Sequence, residues 1–356
     1  MIDIYELLDL AESKGASDLH ISGSGPPMLR IHGSLEPIAD IAEGLYDGLS
    51  YASFLKLVTP EQKEQFHRNL ELDFARSLRT GTRIRCNASQ ERGKISLAIR
   101  LLSSTIPTLD ELALPQVCKD LILRPRGLVV ISGPTGSGKS TTMAAMIQHL
   151  NTVERRRVVT IEDPIEYVHK SIKCVITQRE LGNDTLSFAE ALRHILRQDP
   201  DVILVGEMRD TETAAATLTI AETGHLILAT GHAVSASQAV ERIMDLFPPH
   251  ERHLAQARLA SLLIGVIGQS LVPKASGSGR VAAVEVMLAN PAVRNLIREG
   301  KIYQLPNVIR TNTQEGMTTL DQSLLSLYHN GTISRESLFA FCNDHVEVEK
   351  LIGAIR

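Results

Sequence analysis

Residues 133–140 read GPTGSGKS, a glycine-rich run that lies between an apolar segment and the helix-prone sequence TTMAAM. Glycines at this spacing let backbone N–H groups wrap around phosphate oxygens. Lys139 then reaches the β- and γ-phosphates, and the Ser140 hydroxyl ligates Mg²⁺ at a helix N-terminus. At ordinary glycine usage, a chance turn matches this pattern in about one such chain in a hundred. The run therefore predicts a nucleotide-binding loop made of Gly133, Pro134, Thr135, Gly136, Ser137, Gly138, Lys139, Ser140 and Thr141.

Four short apolar runs predict the sheet that carries this loop, at residues 128–131, 158–161, 202–205 and 226–229. Near-continuous apolar runs of this length suit parallel strands that are covered on both faces. Their alternation with helical segments predicts a doubly wound α/β domain, which binds ligands at the carboxyl edge of its sheet. Past residue 233 the chain reads as mostly helical, and the uncharged segment 259–273 is interpreted as a buried helix.

Acidic residues follow two of these runs at the expected ligand edge. Glu207 comes after the run VILV, as a Walker B acid that holds Mg²⁺ or one of its waters should. Glu162, Asp163 and Glu166 come after the run VVTI, and one of them is placed to orient the attacking water. Carboxylates after a strand are usually solvated loop charges, so they are informative only because the phosphate loop shares their edge. The predicted metal ligands are Ser140, Glu207 and Asp163.

Histidine and arginine side chains complete the candidates. His232 follows the fourth apolar run on the ligand edge, where it is placed to sense the γ-phosphate, whereas His225 precedes that run. A lone histidine is more often a satisfied hydrogen-bonding residue, so that alternative stays open. Arg83, Arg85 and Arg100 lie on predicted strands far from the loop in sequence. They are either surface arginines or groups that reach a neighbouring subunit's nucleotide, where an arginine finger contributes about 10³–10⁵ in rate.

The chain length and the change of pattern predict two domains. At about 150 residues per domain, 356 residues correspond to roughly two. We predict an N-terminal α+β domain at 1–102, a linker at 103–114 and the ATPase domain with a helical C-terminal part at 115–356. The polar, proline-containing stretch 103–108 interrupts the periodicity and is a candidate hinge.

The N-terminal segment opens with a predicted helix, with Asp3 as its N-cap and Glu6 as the capping-box partner. Gly15 is placed to end that helix. Short alternating runs then predict strands of a sheet with one buried face. These runs lie at residues 19–21, 28–33, 82–87 and 95–100.

Composition excludes several classes of protein. The formal net charge of −4 argues against wholesale nucleic-acid binding, so we expect no nucleic-acid partner. The four cysteines are too dispersed for a zinc ribbon or a disulfide framework, which favours a reducing cytosol. The N-terminus lacks the pattern of an export signal, and no segment reaches the roughly 20 apolar residues of a membrane span. We therefore expect no direct membrane insertion.

Together these motifs resemble the secretion ATPases of the type II/type IV pilus superfamily, and within it the PilT-like pilus retraction ATPases. The similarity covers essentially the whole chain. The most specific motif behind this resemblance is AVRNLIRE at 292–299, which matches the AIRNLIRE signature of retraction ATPases except at Val293. The other motifs that support it are GASDLH at 15–20, the phosphate loop, the Asp box EDPIE at 162–166, the run through Glu207, the His box around His225 and His232, and GMTTLD at 316–321.

The resemblance implies an α/β RecA-like P-loop ATPase domain preceded by a smaller α+β PAS-like domain. It implies a homohexamer that binds ATP and Mg²⁺ and powers type IV pilus retraction and twitching motility. The implied partner is the inner-membrane platform protein of the pilus machine, reached from the cytoplasmic face of that membrane.

The resemblance also assigns roles to individual residues. Glu166 matches the catalytic base and Glu207 the Walker B acid, while His225 and His232 match the His-box pair. The N-terminal arginines that contact nucleotide match Arg85 and Arg100, with Arg83 as an added candidate.

Two departures from the family keep alternatives open. The His box usually reads Thr-Leu-His-Thr, whereas residues 230–233 read Thr-Gly-His-Ala. The added glycine gives backbone freedom beside the predicted γ-phosphate sensor, which puts the hydrolysis rate or subunit coupling in question. The absent tetracysteine cluster argues against the pilus-assembly and type II secretion branches. The alternatives are a nucleotide-switched regulatory or binding module, an accessory retraction homologue with weak hydrolysis, and a DNA-translocating ring, which the acidic balance disfavours.

Overall fold

The structure is a computed structural model that describes residues 3–23, 25–31, 33–38, 48–78, 81–102 and 105–353. The chain forms two compact units. Unit 1 comprises Met1–Thr105 and Glu166–Val168, and unit 2 comprises Ile106–Ile165 and His169–Arg356. The candidate hinge at 103–108 begins with Ser103 and Ser104, which lie outside the described residues. The domain limits drawn from the sequence, with a linker at 103–114, stay a prediction.

In its described residues, unit 1 forms a six-stranded antiparallel sheet with three helices. Its sheet order is β3-β2-β1-β6-β5-β4. The elements are α1 (Ile4–Ser13), β1 (Asp18–Ile21), β2 (Met28–Ile31), β3 (Ser34–Pro37), α2 (Leu49–Leu57), α3 (Pro60–Asn69), β4 (Glu71–Ser77), β5 (Arg83–Glu91) and β6 (Lys94–Leu102). The strands predicted as β1, β2, β5 and β6 are confirmed, whereas β3, β4, α2 and α3 carried no signal that we used.

Helix α1 begins where its capping residues predict. The Asp3 carboxylate accepts the Tyr5 N–H at 3.0 Å, and Glu6 reaches back to the Asp3 N–H at 3.4 Å. This reciprocal pairing satisfies N–H groups that the first turn leaves without partners. The helix ends before Gly15, whose φ of +64° suits the left-handed conformation that follows many helices.

Unit 2 is built on a seven-stranded sheet of order β13-β12-β7-β11-β10-β8-β9. Its strands are β7 (Gly127–Ser132), β8 (Arg157–Glu162), β9 (Val175–Glu180), β10 (Val202–Val205), β11 (Leu226–Gly231), β12 (Leu263–Pro273) and β13 (Arg280–Leu288). Its helices are α4 (Val117–Ile122), α5 (Lys139–Val153), α6 (Phe188–Ile195), α7 (Thr211–Glu222), α8 (Ala236–Asp245), α9 (Arg252–Leu262), α10 (Pro291–Arg298), α11 (Leu305–Thr311), α12 (Leu320–His329), α13 (Arg335–Phe341) and α14 (His345–Gly353).

Strand β7 shows how the sheet is covered on both faces. Leu128 and Val130 point into one core with residues of α6 to α9, and Val129 and Ile131 point into another with α4 and α5. Because successive strand residues alternate between faces, a strand buried on both sides reads as an uninterrupted apolar run. The four parallel strands predicted from such runs, β7, β8, β10 and β11, are confirmed.

The interpretation of residues 259–273 as a buried helix is wrong. Only Leu259 to Leu262 are helical, as the end of α9, and the rest is the strand β12. β12 runs parallel to β7 and antiparallel to β13, which makes the sheet mixed. A fully buried apolar run has no polar face to reveal its period, so helix and strand were indistinguishable by pattern. The two strands also interrupt the C-terminal part that we expected to be mostly helical.

Among the described residues, no helix is both long enough and apolar enough to cross a bilayer.

Candidate nucleotide site

The phosphate loop lies between strand β7 and helix α5, as the sequence predicts. β7 ends at Ser132, and α5 begins at Lys139 with Gly138 as its N-cap in the left-handed conformation. No side chain caps this helix end, so the loop presents the positive end of a helix dipole. Helix N-termini of this kind bind phosphate through their backbone N–H groups.

Two glycines of the loop are required by both conformation and space. Gly133 has a φ of +154°, and a Cβ placed there would lie 2.3 Å from the Gln269 carbonyl oxygen. Gly138 has a φ of +88°, and its Cβ would lie 2.8 Å from Gln269 Nε2. Side chains at either position would therefore clash with β12 and strain the backbone. The loop wraps against β12 at this short range only because both residues are glycine.

The polar side chains of the loop fit a phosphate ligand. Lys139 Nζ donates to the carbonyl oxygens of Gly133 at 2.7 Å and Pro134 at 3.0 Å, so its ammonium lies inside the span of the loop. The Ser137 hydroxyl is buried and has no hydrogen-bond partner. A buried unpaired hydroxyl is uncommon and points to a group that the described residues do not supply. The loop therefore suits the phosphates of a nucleotide.

Glu207 and His232 meet at the carboxyl ends of neighbouring strands. β10 pairs in parallel with β11, so the segments that follow them leave the sheet side by side. His232 Nε2 lies 3.1 Å from Glu207 Oε2. Arg209 makes an ion pair with the other carboxylate oxygen, Oε1. The buried Glu207 carboxylate is thus held between a ring nitrogen and a guanidinium.

The charge of Asp163 also acts on the Arg209 guanidinium. The hydrogen bond from Arg209 to Glu207 raises the pKa of the Arg209 guanidinium, and the charges of Glu207 and Asp163 add to that effect. Asp163 itself is exposed in the turn after β8. Asp163, Glu207, His232 and Arg209 therefore form one electrostatic group at the sheet edge.

The same edge of the sheet carries the three predicted metal ligands. Within the part of the chain that the structure describes, no group of three or more His, Cys, Asp or Glu side chains is arranged to hold a metal. Mg²⁺ bound through substrate phosphates needs only one or two protein ligands, so Ser140, Glu207 and Asp163 fit such an ion as partial ligands. Their metal role stays a prediction.

Glu162 and Glu166, the neighbouring carboxylates, have different settings. Glu162 accepts the Thr160 hydroxyl at 2.6 Å and the Gln178 amide at 3.0 Å. Glu166 is half-buried and belongs to unit 1, whereas Asp163 belongs to unit 2. The Glu162 carboxylate is therefore already hydrogen-bonded within the sheet. The role of Glu166 as the catalytic base stays a prediction.

His225 lies away from this group. It precedes β11 at the opposite end of the strand from His232, which at 3.3 Å per residue corresponds to about 23 Å. Its Nδ1 lies 2.9 Å from the Thr223 hydroxyl and 3.2 Å from the Ile220 carbonyl oxygen. The structure therefore does not bring the two predicted His-box residues together within this chain.

The three arginines share one face of the sheet in unit 1. Arg85 on β5 is directly opposite Arg100 on β6, and Arg83 is two residues before Arg85 on the same face. Arg100 donates to Asp18 at 3.0 Å. Burial opposes ionisation of Asp18, but the hydrogen bonds from Ser17 and Arg100 outweigh it together and lower the pKa of this carboxyl. Like charges directly opposite each other on a sheet are destabilising, and the Asp18 carboxylate offsets part of the repulsion between Arg85 and Arg100.

Comparison with known proteins decides the family. The family model described as "Type II/IV secretion system protein" matches residues 83–338. This chain belongs to that family. It is 45% identical over 336 residues to the type IV pilus retraction ATPase PilT of Pseudomonas aeruginosa, covering 94% of this chain and 97% of that protein. It is 40% identical over 351 residues to the type IV pilus ATPase PilU of the same organism, covering 99% and 91%.

A solved structure has the same fold as this chain. The crystal structure of the pilus retraction motor PilT with bound ADP superimposes with a TM-score of 0.92 at 39% identity. The match covers 98% of this chain and 100% of that chain. The mixed sheet with its antiparallel edge strand is thus a PilT-type fold.

Two residues of the site were missed by sequence reasoning. Arg209 follows Glu207 by two positions, and that spacing was an available signal that we did not use. Gln269 contacts the phosphate loop from β12, across 132 positions of sequence from Ser137. No local pattern reveals such a contact, and the helix assignment of residues 259–273 hid it further.

Proposed function

We propose that this protein is an ATP-hydrolysing motor that powers type IV pilus retraction and twitching motility. The observation that carries the proposal is the convergence of the phosphate loop, Glu207 and His232 at one edge of one sheet. Gly231 pairs with Ser132 across β11 and β7, so His232 and the phosphate loop leave the sheet from adjacent positions. The 45% identity to PilT over 94% of the chain supports retraction as the process served.

In this proposal each side chain has one task. Lys139 and the backbone of residues 133–141 bind the phosphates of ATP. Ser140, Glu207 and Asp163 hold Mg²⁺, which when bound neutralises charge on the transferring phosphoryl group. Glu166 accepts the proton of the attacking water, and His232 orients Glu207. Positioning and charge stabilisation dominate phosphoryl transfer, so geometry held by rigid strands suits this task.

The assembly we propose is a homohexamer of RecA-like domains, each preceded by a PAS-like domain. The arginine face of β5 and β6 supports an intersubunit role, because its three guanidiniums belong to unit 1, whereas the phosphate loop belongs to unit 2. The proposed partner is the inner-membrane platform protein of the pilus machine, with the ring at the cytoplasmic face of that membrane. In this assembly Arg83, Arg85 and Arg100 reach nucleotide across a domain or subunit boundary.

Arg85→Ala tests the arginine face. Because Arg85 acts across a boundary, we expect turnover by the assembled ring to fall at least about tenfold, the low end for a lost charge-assisted contact. Nucleotide affinity measured below the assembly concentration should not change. Phosphate release by the assembled ring gives the turnover, and titration with a non-hydrolysable ATP analogue at low protein concentration gives the affinity. Arg68→Ala is the matched control, since Arg68 is an exposed arginine of α3 in the same unit. Unchanged turnover by an Arg85→Ala hexamer would remove this role.

The experiment that tests the proposed function is Mg²⁺-dependent ATP turnover as the protein concentration is raised through assembly. Turnover per subunit that rises cooperatively supports a ring enzyme with a site shared between chains. Absence of turnover at every concentration contradicts the motor. ATP binding without turnover favours the nucleotide-switched module, in which ATP changes the partner that is bound.

The second candidate is an accessory retraction ATPase with weak hydrolysis. It is favoured by the His-box departure at Gly231 and by the 40% identity to PilU over 99% of the chain. A Cβ at Gly231 would lie 3.1 Å from the Ser132 hydroxyl, which donates at 2.7 Å to the Ala233 carbonyl. The glycine thus leaves room for this bond beside His232. Loss of twitching when this gene alone is deleted supports the motor, and retention supports the accessory protein.

A further inference from the structure

Gln269 is a buried amide of β12 that contacts the phosphate loop at two points. Its Nε2 donates to the Ser137 carbonyl oxygen at 2.8 Å. Its Oε1 accepts the Thr142 hydroxyl, also at 2.8 Å, from the first turn of α5. The side chain is 4% exposed, so water does not compete for either bond. One amide therefore connects the loop and the helix that follows it to the sheet.

The backbone at the same position also bounds the loop. The Gln269 carbonyl oxygen occupies the space where a side chain on Gly133 would lie, and Nε2 does the same at Gly138. Gly133 and Gly138 are the two ends of the turn around the predicted phosphate site. Both ends of the turn thus pack against one residue of β12, Gln269.

The chemistry of the contact requires an amide. The Ser137 carbonyl needs a donor and the Thr142 hydroxyl needs an acceptor, and glutamine supplies both from one planar group. An apolar residue of the same length would fill the space but leave a buried carbonyl and a buried hydroxyl unpaired. A fully satisfied buried network of this kind fixes one arrangement of the groups it joins.

We propose that Gln269 is a positioning residue of the nucleotide site, which holds the phosphate loop in the conformation that binds nucleotide. It acts through Ser137 and Thr142 and touches no reacting atom. The inference rests on the proposed nucleotide function. It is tested by ADP binding, so that absent hydrolysis and a wrong role for Gln269 give different results.

The decisive variant is Gln269→Glu, measured at two pH values. An ionised glutamate presents a second acceptor to the Ser137 carbonyl, so the ADP dissociation constant should rise about tenfold near pH 8, as one unmade buried hydrogen bond implies. A protonated glutamic acid has an O–H donor and a carbonyl acceptor, as the amide does. Burial raises the pKa of such a carboxyl, so affinity should recover toward that of the original protein near pH 6.

Two further variants keep the test decisive if Gln269→Glu fails to fold. Gln269→Met has similar length without donor or acceptor, and should weaken ADP binding about tenfold at both pH values with no recovery. Thr142→Val removes only the bond to α5 and should have a smaller effect. Gln304→Glu is the matched control, because the Gln304 side-chain amide donates to the neighbouring Tyr303 hydroxyl at 3.0 Å. The ADP affinity of this variant should equal that of the original protein at both pH values.

Titration calorimetry with ADP and thermal unfolding of the nucleotide-free protein separate the outcomes. Weakened binding that recovers in acid for Gln269→Glu, but not for Gln269→Met, supports the positioning role. A lower melting temperature with ADP affinity unchanged in both variants makes Gln269 an ordinary core residue and overturns the proposal. An equal loss at both pH values for Gln269→Glu also overturns it, since the donor to Ser137 is then not what matters.

Discussion

Replacing Lys139 with alanine is expected to lower ATP affinity by at least about 10²-fold and to remove measurable turnover. The ammonium lies within the phosphate loop, where it donates to two backbone carbonyls at 2.7 and 3.0 Å. Its charge-assisted bonds to phosphate oxygens contribute about 1.5–3 kcal/mol each. Because 1.4 kcal/mol corresponds to a factor of ten, two such bonds account for a loss of about 10² to 10⁴.

The loss should be specific to ligand binding rather than to folding. A titration with a non-hydrolysable ATP analogue measures the affinity, and phosphate release measures the turnover. Lys56→Ala is the matched control, because Lys56 forms an ion pair with Asp3 at 2.7 Å in unit 1. Analogue affinity within threefold of the original in Lys139→Ala would contradict the phosphate-loop assignment.

Local sequence was sufficient wherever neighbours in the chain determine the structure. The phosphate loop was predictable because the glycines, Lys139 and the flanking strand and helix are contiguous. The N-terminus of α1 was predictable because Asp3 and Glu6 are three residues apart. Both predictions rest on interactions that close within a few residues, so the pattern contains all the participants.

Long-range contacts were beyond the reach of pattern. Gln269 contacts Ser137 and Thr142 only because β12 is the neighbour of β7 in the sheet. No local stretch of sequence encodes that strand order. The segment 259–273 was assigned to the wrong element because burial on both faces leaves no polar side to show the period. His232 was correctly placed on the ligand edge because it ends a recognisable strand, yet its contact with Glu207 needed the order of β10 and β11.

The edge of the sheet is also where strand order has the largest chemical consequence. β11 is bonded to β7 on one side and to β10 on the other, so it stands between the phosphate loop and Glu207. Gly231 pairs with Ser132, and His232 then reaches Glu207 at 3.1 Å. A shift in the end of β11 would therefore alter both groups together. This makes residues 230–233 the place where the family departures bear on hydrolysis.

Glu166→Gln is expected to retain ATP binding and to lose hydrolysis. Glutamine keeps the size and hydrogen-bonding oxygen of glutamate but accepts no proton at neutral pH. A positioned general base contributes about 10²–10⁴ in rate, so kcat should fall by that factor. Analogue affinity should remain within about threefold, because the base acts on water rather than on the phosphates. Single-turnover phosphate release and analogue titration give the two values.

Glu162→Gln discriminates between the two neighbouring carboxylates. Glu162 already accepts hydrogen bonds from Thr160 and Gln178, which hold its carboxylate against the sheet, so we expect it not to act as the base. Loss of turnover in Glu162→Gln with normal turnover in Glu166→Gln would assign the role of catalytic base to Glu162 instead. Glu336→Gln, an exposed change in α13, should alter neither value. If both the Glu162 and the Glu166 variants turn over normally, neither residue is the base, and the assignment of Glu166 is wrong.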